Sequence, residues 1–382
     1  MSIEIHGFAK AGFEPVREAF EKNFALGLEQ GASVAVTRDG EFVVDLWAGE
    51  ADDTGRAWER DTIVNVYSTT KTMAAMSVLV LADRDEIDLA APVATYWPEF
   101  AKNGKEGVTV SHVMSHSAGL SGFEPALESH ELLYDWDLCC ERLANQSPWW
   151  EPGSASGYHA ITQGYLQGEI VRRVTGQTIG QFFRSEIAAP LRADFWIGLP
   201  ASEDARVADL VPPEFGTAGD GTAPEDSLSH RTMSSVPITG HEPRDREWRG
   251  AEIPAAGGTG NARSVGRIHS ALACGGEVDG VRILSQAGVE RILEEQTIGT
   301  DLVMGAPLRF GQGFGLIHPD APMSPSERAF YWGGWGGSIA MTDLDHRATI
   351  TYVMNRMESN LLGDKRGARI LHAAYGALLA GG

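Results

Sequence analysis

Thr62-Ile63-Val64-Asn65-Val66-Tyr67-Ser68-Thr69-Thr70-Lys71-Thr72-Met73-Ala74-Ala75-Met76-Ser77-Val78-Leu79-Val80-Leu81 is the stretch on which the reading of this chain turns. Its opening, residues 62–67, is β-branched and predicts a strand, and residues 73–81 form an apolar run that predicts a helix. Ser68 and Lys71 lie between the two, three residues apart, so that on a helix they share a face. A serine at a helix start meets free backbone N–H groups and the positive end of the helix dipole, which favour negative charge on an attacking oxygen. A lysine carried into an apolar helix loses the hydration of its ammonium. Its pKa falls, and a neutral amine becomes available as a proton acceptor. With 25 Ser and six Lys in 382 residues, Ser-x-x-Lys arises by chance about 0.4 times, so the motif needs company before it carries weight. The plainer reading of the same residues is an N-capping serine followed by a solvated lysine. Two further elements displace it.

The first is Trp150-Glu151-Pro152-Gly153-Ser154-Ala155-Ser156-Gly157-Tyr158-His159-Ala160, a turn-rich approach that places Tyr158 near a helix start. A tyrosine of depressed pKa near a lysine and a helix N-terminus can relay a proton to a leaving group. The second is Tyr331-Trp332-Gly333-Gly334-Trp335-Gly336-Gly337-Ser338. Four glycines weaken a strand, and close approach of a ligand or another backbone is a good reason to keep them. A strand edge beside Ser68 can offer a backbone N–H to an oxyanion, a contribution on the order of 10²- to 10³-fold in rate.

Taken together, Ser68-x-x-Lys71, Tyr158 and Trp332-Gly333-Gly334 resemble the serine β-lactamase and penicillin-binding-protein family, particularly class C enzymes and family VIII carboxylesterases. His116-Ser117-Ala118-Gly119-Leu120 and Trp150-Glu151-Pro152-Gly153 are similar to further family segments, so the resemblance spans nearly the whole chain. It implies that Ser68 is the acylated nucleophile, that Lys71 and Tyr158 form the general base and acid, and that the N–H groups of Ser68 and Trp335 make the oxyanion hole. The chain departs from class C at two places. Ala160 stands where the tyrosine motif ends in Asn, and Trp332 stands where the third motif begins with Lys. Both replaced side chains help hold a lactam substrate's amide and carboxylate. The resemblance therefore favours an esterase, with lactam, amide or acyl-transfer activity, or a non-catalytic binding homologue, as alternatives.

Length and composition fit this reading. A chain of 382 residues exceeds the usual size of one core, so one large domain with an inserted subdomain, or two domains, is expected. Hydrophobic content of 43% with 22% charged residues is globular, and a formal net charge of −21 argues against nucleic acid and an anionic membrane surface as partners. Cys139, Cys140 and Cys274 are odd in number and form no Cys-x-x-Cys, which points to reduced, buried thiols. The N-terminal residues lack a basic segment followed by an apolar core, and no run of about 18 apolar residues occurs, so a soluble cytoplasmic protein is expected. No cofactor is expected. His112 and His116 are spaced as helical metal ligands are, but without a third ligand they read as helix-surface histidines, and no metal is expected.

Along the chain, residues 14–29 predict an amphipathic helix, and residues 32–37 and 41–47 predict a hairpin about Arg38-Asp39-Gly40. Helices are expected over 109–115, 129–143, 160–175 and 179–188, and an irregular excursion able to border a cleft over 200–248. Strands return over 311–317, 329–332, 338–342 and 348–354, and a helix closes the chain over 362–379. This order predicts an α/β protein of the α+β type: an antiparallel sheet flanked by helices and built from both chain ends. Residues 1–83 and 246–382 would form the α/β domain and residues 84–245 a mostly helical insert, with the active site in the cleft between them. Gly336-Gly337-Ser338-Ile339-Ala340 lacks the last Gly of Gly-x-Ser-x-Gly and leads into a strand, so Ser338 is a poor rival nucleophile. Phe123, Trp149, Trp150, Trp332, Gly333, Gly334, Trp335 and His159 are the candidate walls of the substrate site. No long apolar lid helix is evident, so small to medium acyl esters are the expected substrates.

Overall fold

Alternating β-branched and aromatic residues near both termini meet in one sheet. The computed structural model describes residues 3–213 and 223–381, so residues 214–222 of the predicted excursion lie outside the described residues. In chain order the sheet strands are β1 (His6–Ala9), β2 (Gly31–Arg38), β3 (Glu41–Gly49), β4 (Thr297–Thr300), β5 (Pro307–Phe310), β6 (Gly315–Leu316), β7 (Ala329–Gly333), β8 (Ile339–Asp343) and β9 (Ala348–Met354). They lie side by side as β1-β3-β2-β9-β8-β7-β6-β5-β4, each pair antiparallel. The α+β sheet expected from both chain ends is thus present. Its central seam joins β2 to β9 from Ala32 opposite Met354 to Arg38 opposite Ala348.

Six described helices reach ten residues or more: α1 (Glu14–Ala25), α2 (Thr70–Asp83), α3 (Trp136–Asn145), α4 (Thr162–Thr175), α5 (Ala262–Ala273) and α6 (Lys365–Leu379). Successive residues of a strand face opposite sides. Gly266 of α5 packs against Ala35, Thr349 and Thr351, whereas Gly367 of α6 packs against Ile339 and Tyr352, so the two helices cover opposite faces. Both central strands are buried along their length, which explains their continuous apolar and threonine character. None of the described helices is long and apolar enough to cross a membrane.

Several boundaries differ from the sequence reading for local reasons. The hairpin turns through Asp39 and Gly40, both at positive φ (51° and 82°), as a two-residue turn between twisted strands requires. The strand expected over 62–67 contracts to Val64–Asn65, because the Asn65 carboxamide accepts the Tyr67 N–H at 3.0 Å and bends the chain away. The helix expected over 129–143 is split by Asp135, whose carboxylate caps α3 through Leu138 N at 3.0 Å. Gly311 and Gly313 confine the strand expected over 311–317 to Gly315–Leu316.

Candidate active site

Ser68 occupies a 3₁₀ turn, Tyr67–Thr69, that runs directly into α2. The residue before it, Tyr67, is held at φ +44°, a backbone region that non-glycine residues rarely adopt. What holds it is visible. The Tyr67 N–H is taken by Asn65, the Thr70 hydroxyl donates to the Tyr67 carbonyl at 2.5 Å, and the Gly258 N–H donates to that hydroxyl at 2.9 Å. The Tyr67 ring is packed against Trp335 (5.1 Å between centroids) and Trp248 (6.3 Å). The turn therefore presents Ser68 in one orientation.

Lys71 is buried and its Nζ has three oxygen neighbours: Ser68 Oγ at 3.0 Å, the Ala160 carbonyl at 2.6 Å and the Ala255 carbonyl at 2.9 Å. No carboxylate is among them. Burial accordingly holds the Lys71 pKa well below its ordinary value, as the sequence reading expected. A neutral amine has two N–H groups and one lone pair. With two carbonyls able only to accept, both N–H groups are spoken for and the lone pair faces the serine hydroxyl.

Tyr158 completes the cluster by donating its hydroxyl to Ser68 Oγ at 2.6 Å. Its main chain is pinned from below. Buried Asp301 accepts the N–H of Tyr158 at 3.0 Å and those of Val303 and Met304 at 3.0 and 2.8 Å, a role no sequence signal announced. The depressed tyrosine pKa expected from sequence is reversed: desolvation pushes the phenol well above its usual value, so Tyr158 is protonated at rest. The Trp332 indole, 5.4 Å away between centroids, opposes that rise, although its N–H meets no acceptor in hydrogen-bond geometry.

The glycine-rich stretch leaves β7 and turns tightly beside Ser68. Gly334 N–H donates to the Ser338 carbonyl at 2.8 Å and Gly337 N–H to the Gly334 carbonyl at 3.1 Å. A Cβ on Gly334 would lie 2.1 Å from the Val66 carbonyl oxygen and 3.2 Å from Ser68 N, so only glycine permits this approach. Ser338 is not a nucleophile. Its buried hydroxyl donates to the Val66 carbonyl at 2.9 Å and lies 2.9 Å from the Thr69 hydroxyl, tying the turn to the Ser68 segment. Trp335 N–H has no protein acceptor among the described residues.

Comparison with known proteins gives the family. The Beta-lactamase family model matches residues 20–375. The chain belongs to that family. It is 36% identical to Esterase/beta-lactamase LipL of Mycobacterium tuberculosis over 373 residues, which cover 94% of this chain and 84% of LipL. Among solved structures, a family VIII carboxylesterase superposes with a TM-score of 0.92 at 44% identity, covering 98% of this chain and 100% of the other. EstA of Arthrobacter nitroguajacolicus Rue61a gives 0.86 at 32% identity, with 98% and 99% covered.

The two departures from class C members of the family are readable in the structure. Ala160 contributes its carbonyl to Lys71 instead of a side-chain amide to substrate. Trp332 is buried against Tyr158, 5.4 Å between ring centroids, and brings no charge to that position. His116 is no helix-surface histidine. It lies past the end of the Val110–Met114 helix, buried against Tyr158 at 5.0 Å, and its Nδ1 accepts the His159 N–H at 3.0 Å. Burial holds both His116 and His159 well below the usual histidine range, to about 3 for His159, so both are neutral.

The cavity that opens onto Ser68 and Tyr158 has a volume of about 400 Å3. Of the candidate walls, Trp335 lines it, together with Ile161, Met233, Val236, Pro237, Ile238 and Leu361. The other candidates lie behind or beside it. His159, expected to face substrate or solvent, is fully buried and braces the main chain, Nε2 accepting Leu120 N–H at 3.0 Å and Nδ1 facing the Gly157 carbonyl at 2.6 Å. Phe123 packs on Tyr165, Trp150 donates to the Ala155 carbonyl, and Trp149 stacks under the Arg231 guanidinium while donating to Glu124. Gly333 ends β7 behind the cavity and Gly334 packs on the Ser68 segment. Of the walls missed by sequence reasoning, Ile161 and Leu361 stand alone, and most of the rest come from residues 230–238, inside the excursion expected to border a cleft. Its signal was the apolar set Met233, Val236, Pro237 and Ile238 in otherwise polar surroundings.

Proposed function

We propose that this protein is a serine carboxylesterase that cleaves esters of small to medium acyl chains through an acyl-enzyme on Ser68. One observation carries the reading: Ser68 Oγ sits between a buried lysine amine with no carboxylate partner and a phenol that donates to it at 2.6 Å. Lys71 takes the Ser68 proton as Oγ attacks the ester carbonyl carbon. The carbonyl oxygen, now negative, is received by the N–H groups of Ser68 and Trp335. Tyr158, protonated at rest, hands its proton to the departing alkoxide and recovers one from Lys71, so the alcohol leaves with the phenol's proton, the serine proton refills the phenol and the amine returns to neutral. Water then repeats the sequence in reverse on the acyl-enzyme. A standing phenolate is not needed.

Substrate class follows from the walls. Among the described lining residues His230 is the sole side chain able to carry positive charge, whereas a β-lactam brings a carboxylate. A neutral ester fits better than a lactam. The volume of about 400 Å3 lies toward the small end of ligand pockets and favours short acyl groups. Stopped-flow hydrolysis of p-nitrophenyl butyrate tests the proposal: a burst of p-nitrophenol is expected, with a mass increment on the Ser68 peptide and much weaker nitrocefin turnover. A Ser68→Ala protein that still gives the burst would overturn it.

A further inference from the structure

The turn that carries the Trp335 N–H is glycine at positions 333, 334, 336 and 337, so its backbone is held by contacts from neighbouring elements. On one side Ser338 ties it to Val66 and Thr69. On the other stands Arg366, at the start of α6, wholly buried. Its Nη2 donates to the Gly336 carbonyl at 2.6 Å and to Asp364 Oδ2 at 2.5 Å, and its Nε lies 3.0 Å from the same carboxylate oxygen. Nη1 donates to the Arg356 carbonyl at 2.7 Å and to Glu29 Oε2 at 3.3 Å. The Gly336 carbonyl lies two peptide units past the Trp335 N–H. It also accepts the Glu358 N–H at 3.1 Å.

The fit around this contact is tight. Gly336 and Gly337 adopt φ of 99° and 124°, and a Cβ on Gly337 would fall 2.3 Å from Asp364 Oδ2 and 2.7 Å from Arg366 Nη2. The glycines therefore let the guanidinium and its carboxylate press directly on the turn. An arginine buried to this degree needs its charge compensated; Asp364 supplies that, and Glu29 adds an acceptor oxygen that helps fix the guanidinium plane. A backbone amide aimed at an oxyanion acts only if it is already in place, and an error of about 1 Å costs on the order of 100-fold in rate.

We propose that Arg366, clamped by Asp364 and Glu29, is a positioning residue that holds the Gly336–Gly337 turn and thereby aims the Trp335 N–H at the oxyanion. The inference rests on the esterase reading and on Trp335 as an oxyanion donor. It is tested with Arg366→Lys, which keeps a charge but loses the fork, and with Asp364→Asn, which keeps the shape of the partner should the first variant fail to fold. Rates are normalised to active sites by the p-nitrophenol burst amplitude. For Arg366→Lys the expected result is a kcat lowered by about 10- to 100-fold with KM changed less than about threefold, and affinity for a boronic acid, which forms a tetrahedral adduct on Ser68, weakened by a similar factor. Asp364→Asn is expected to move kcat and boronate affinity the same way by a smaller factor. A merely structural role would lower the melting temperature and leave kcat per active site and boronate affinity unchanged, and that result in either folded variant overturns the inference. Absence of a burst in the wild-type protein would sink the esterase reading itself, a distinguishable failure.

Discussion

Lys71 shows how a single side chain acquires a function from its surroundings. In water its amine would be charged; here α2 buries it among carbonyl oxygens with no counter-charge. The spacing of Ser68 and Lys71 was legible in the sequence because one helical turn fixes it. The burial of Tyr158 was not, because Asp301, His116 and Trp332 reach it from distant parts of the chain. A consequence follows for exchange of the base. Lys71→Arg keeps roughly the length, but a guanidinium stays charged where the lysine amine is neutral and does not deprotonate, so acylation is expected to fall by at least about 10³-fold. The same chemistry sets the pH dependence: kcat/KM of the wild-type protein should rise as pH increases through the lowered Lys71 pKa, well below the usual lysine range. A burst assay of the variant and a pH profile of the parent check both. Ordinary turnover by the Lys71→Arg protein would mean another base.

Most of the strongly patterned elements were read correctly, the five-residue strands β7 and β8 among them, whereas α5 and the shortest strands were not. The β2–β3 hairpin, β9 and the closing helix stand within a few residues of expectation, because their patterns run long enough to outweigh local exceptions. Helix α5 was missed although Asn261 and Ser264 form a capping box, since its apolar stripe is built mainly from small residues. Strands β1, β4 and β5 were missed too; each is four residues long, too short for alternation to show. The cavity wall at 233–238 escaped for a different reason: it has no regular period and is defined only by what it faces. In the proposed esterase that wall sets acyl length. Ile238→Ala opens the cavity, and each additional acyl methylene it buries contributes about 0.8 kcal/mol, or about fourfold in kcat/KM. A series of p-nitrophenyl esters from C2 to C12 should show the optimum moving to longer chains by about two carbons. An unmoved optimum would place the acyl group elsewhere.

The molecule as a whole is closed by charge as well as by the sheet. Glu29 follows α1, Tyr352 belongs to β9 and Arg366 opens α6, and the three meet behind the glycine turn: Tyr352 donates its hydroxyl to Glu29 Oε1 at 2.5 Å while Arg366 Nη1 reaches Oε2 at 3.3 Å. No sequence pattern could reveal this, because 337 residues separate Glu29 from Arg366 and their elements meet only in the folded chain, where β2 pairs with β9 and α1 packs on α6. Burial outweighs both partners and pushes the Glu29 carboxyl up to about 7, with nearby Asp364 adding to the rise. The sign of the consequence is fixed. A carboxyl whose pKa is higher folded than unfolded holds more protons in the native state between about pH 4.5 and 7, so stability declines as pH rises through that window, by on the order of 3 kcal/mol at full extent. Glu29→Gln keeps the shape and the acceptor oxygen and removes the titration. Urea midpoints measured at pH 5 and pH 8 should differ in the wild-type protein and nearly coincide in the variant, with the larger gain from the substitution at pH 8. If the wild-type midpoint instead rises between these pH values by an amount that the substitution abolishes, Glu29 is ionised throughout and the pair with Arg366 outweighs its burial.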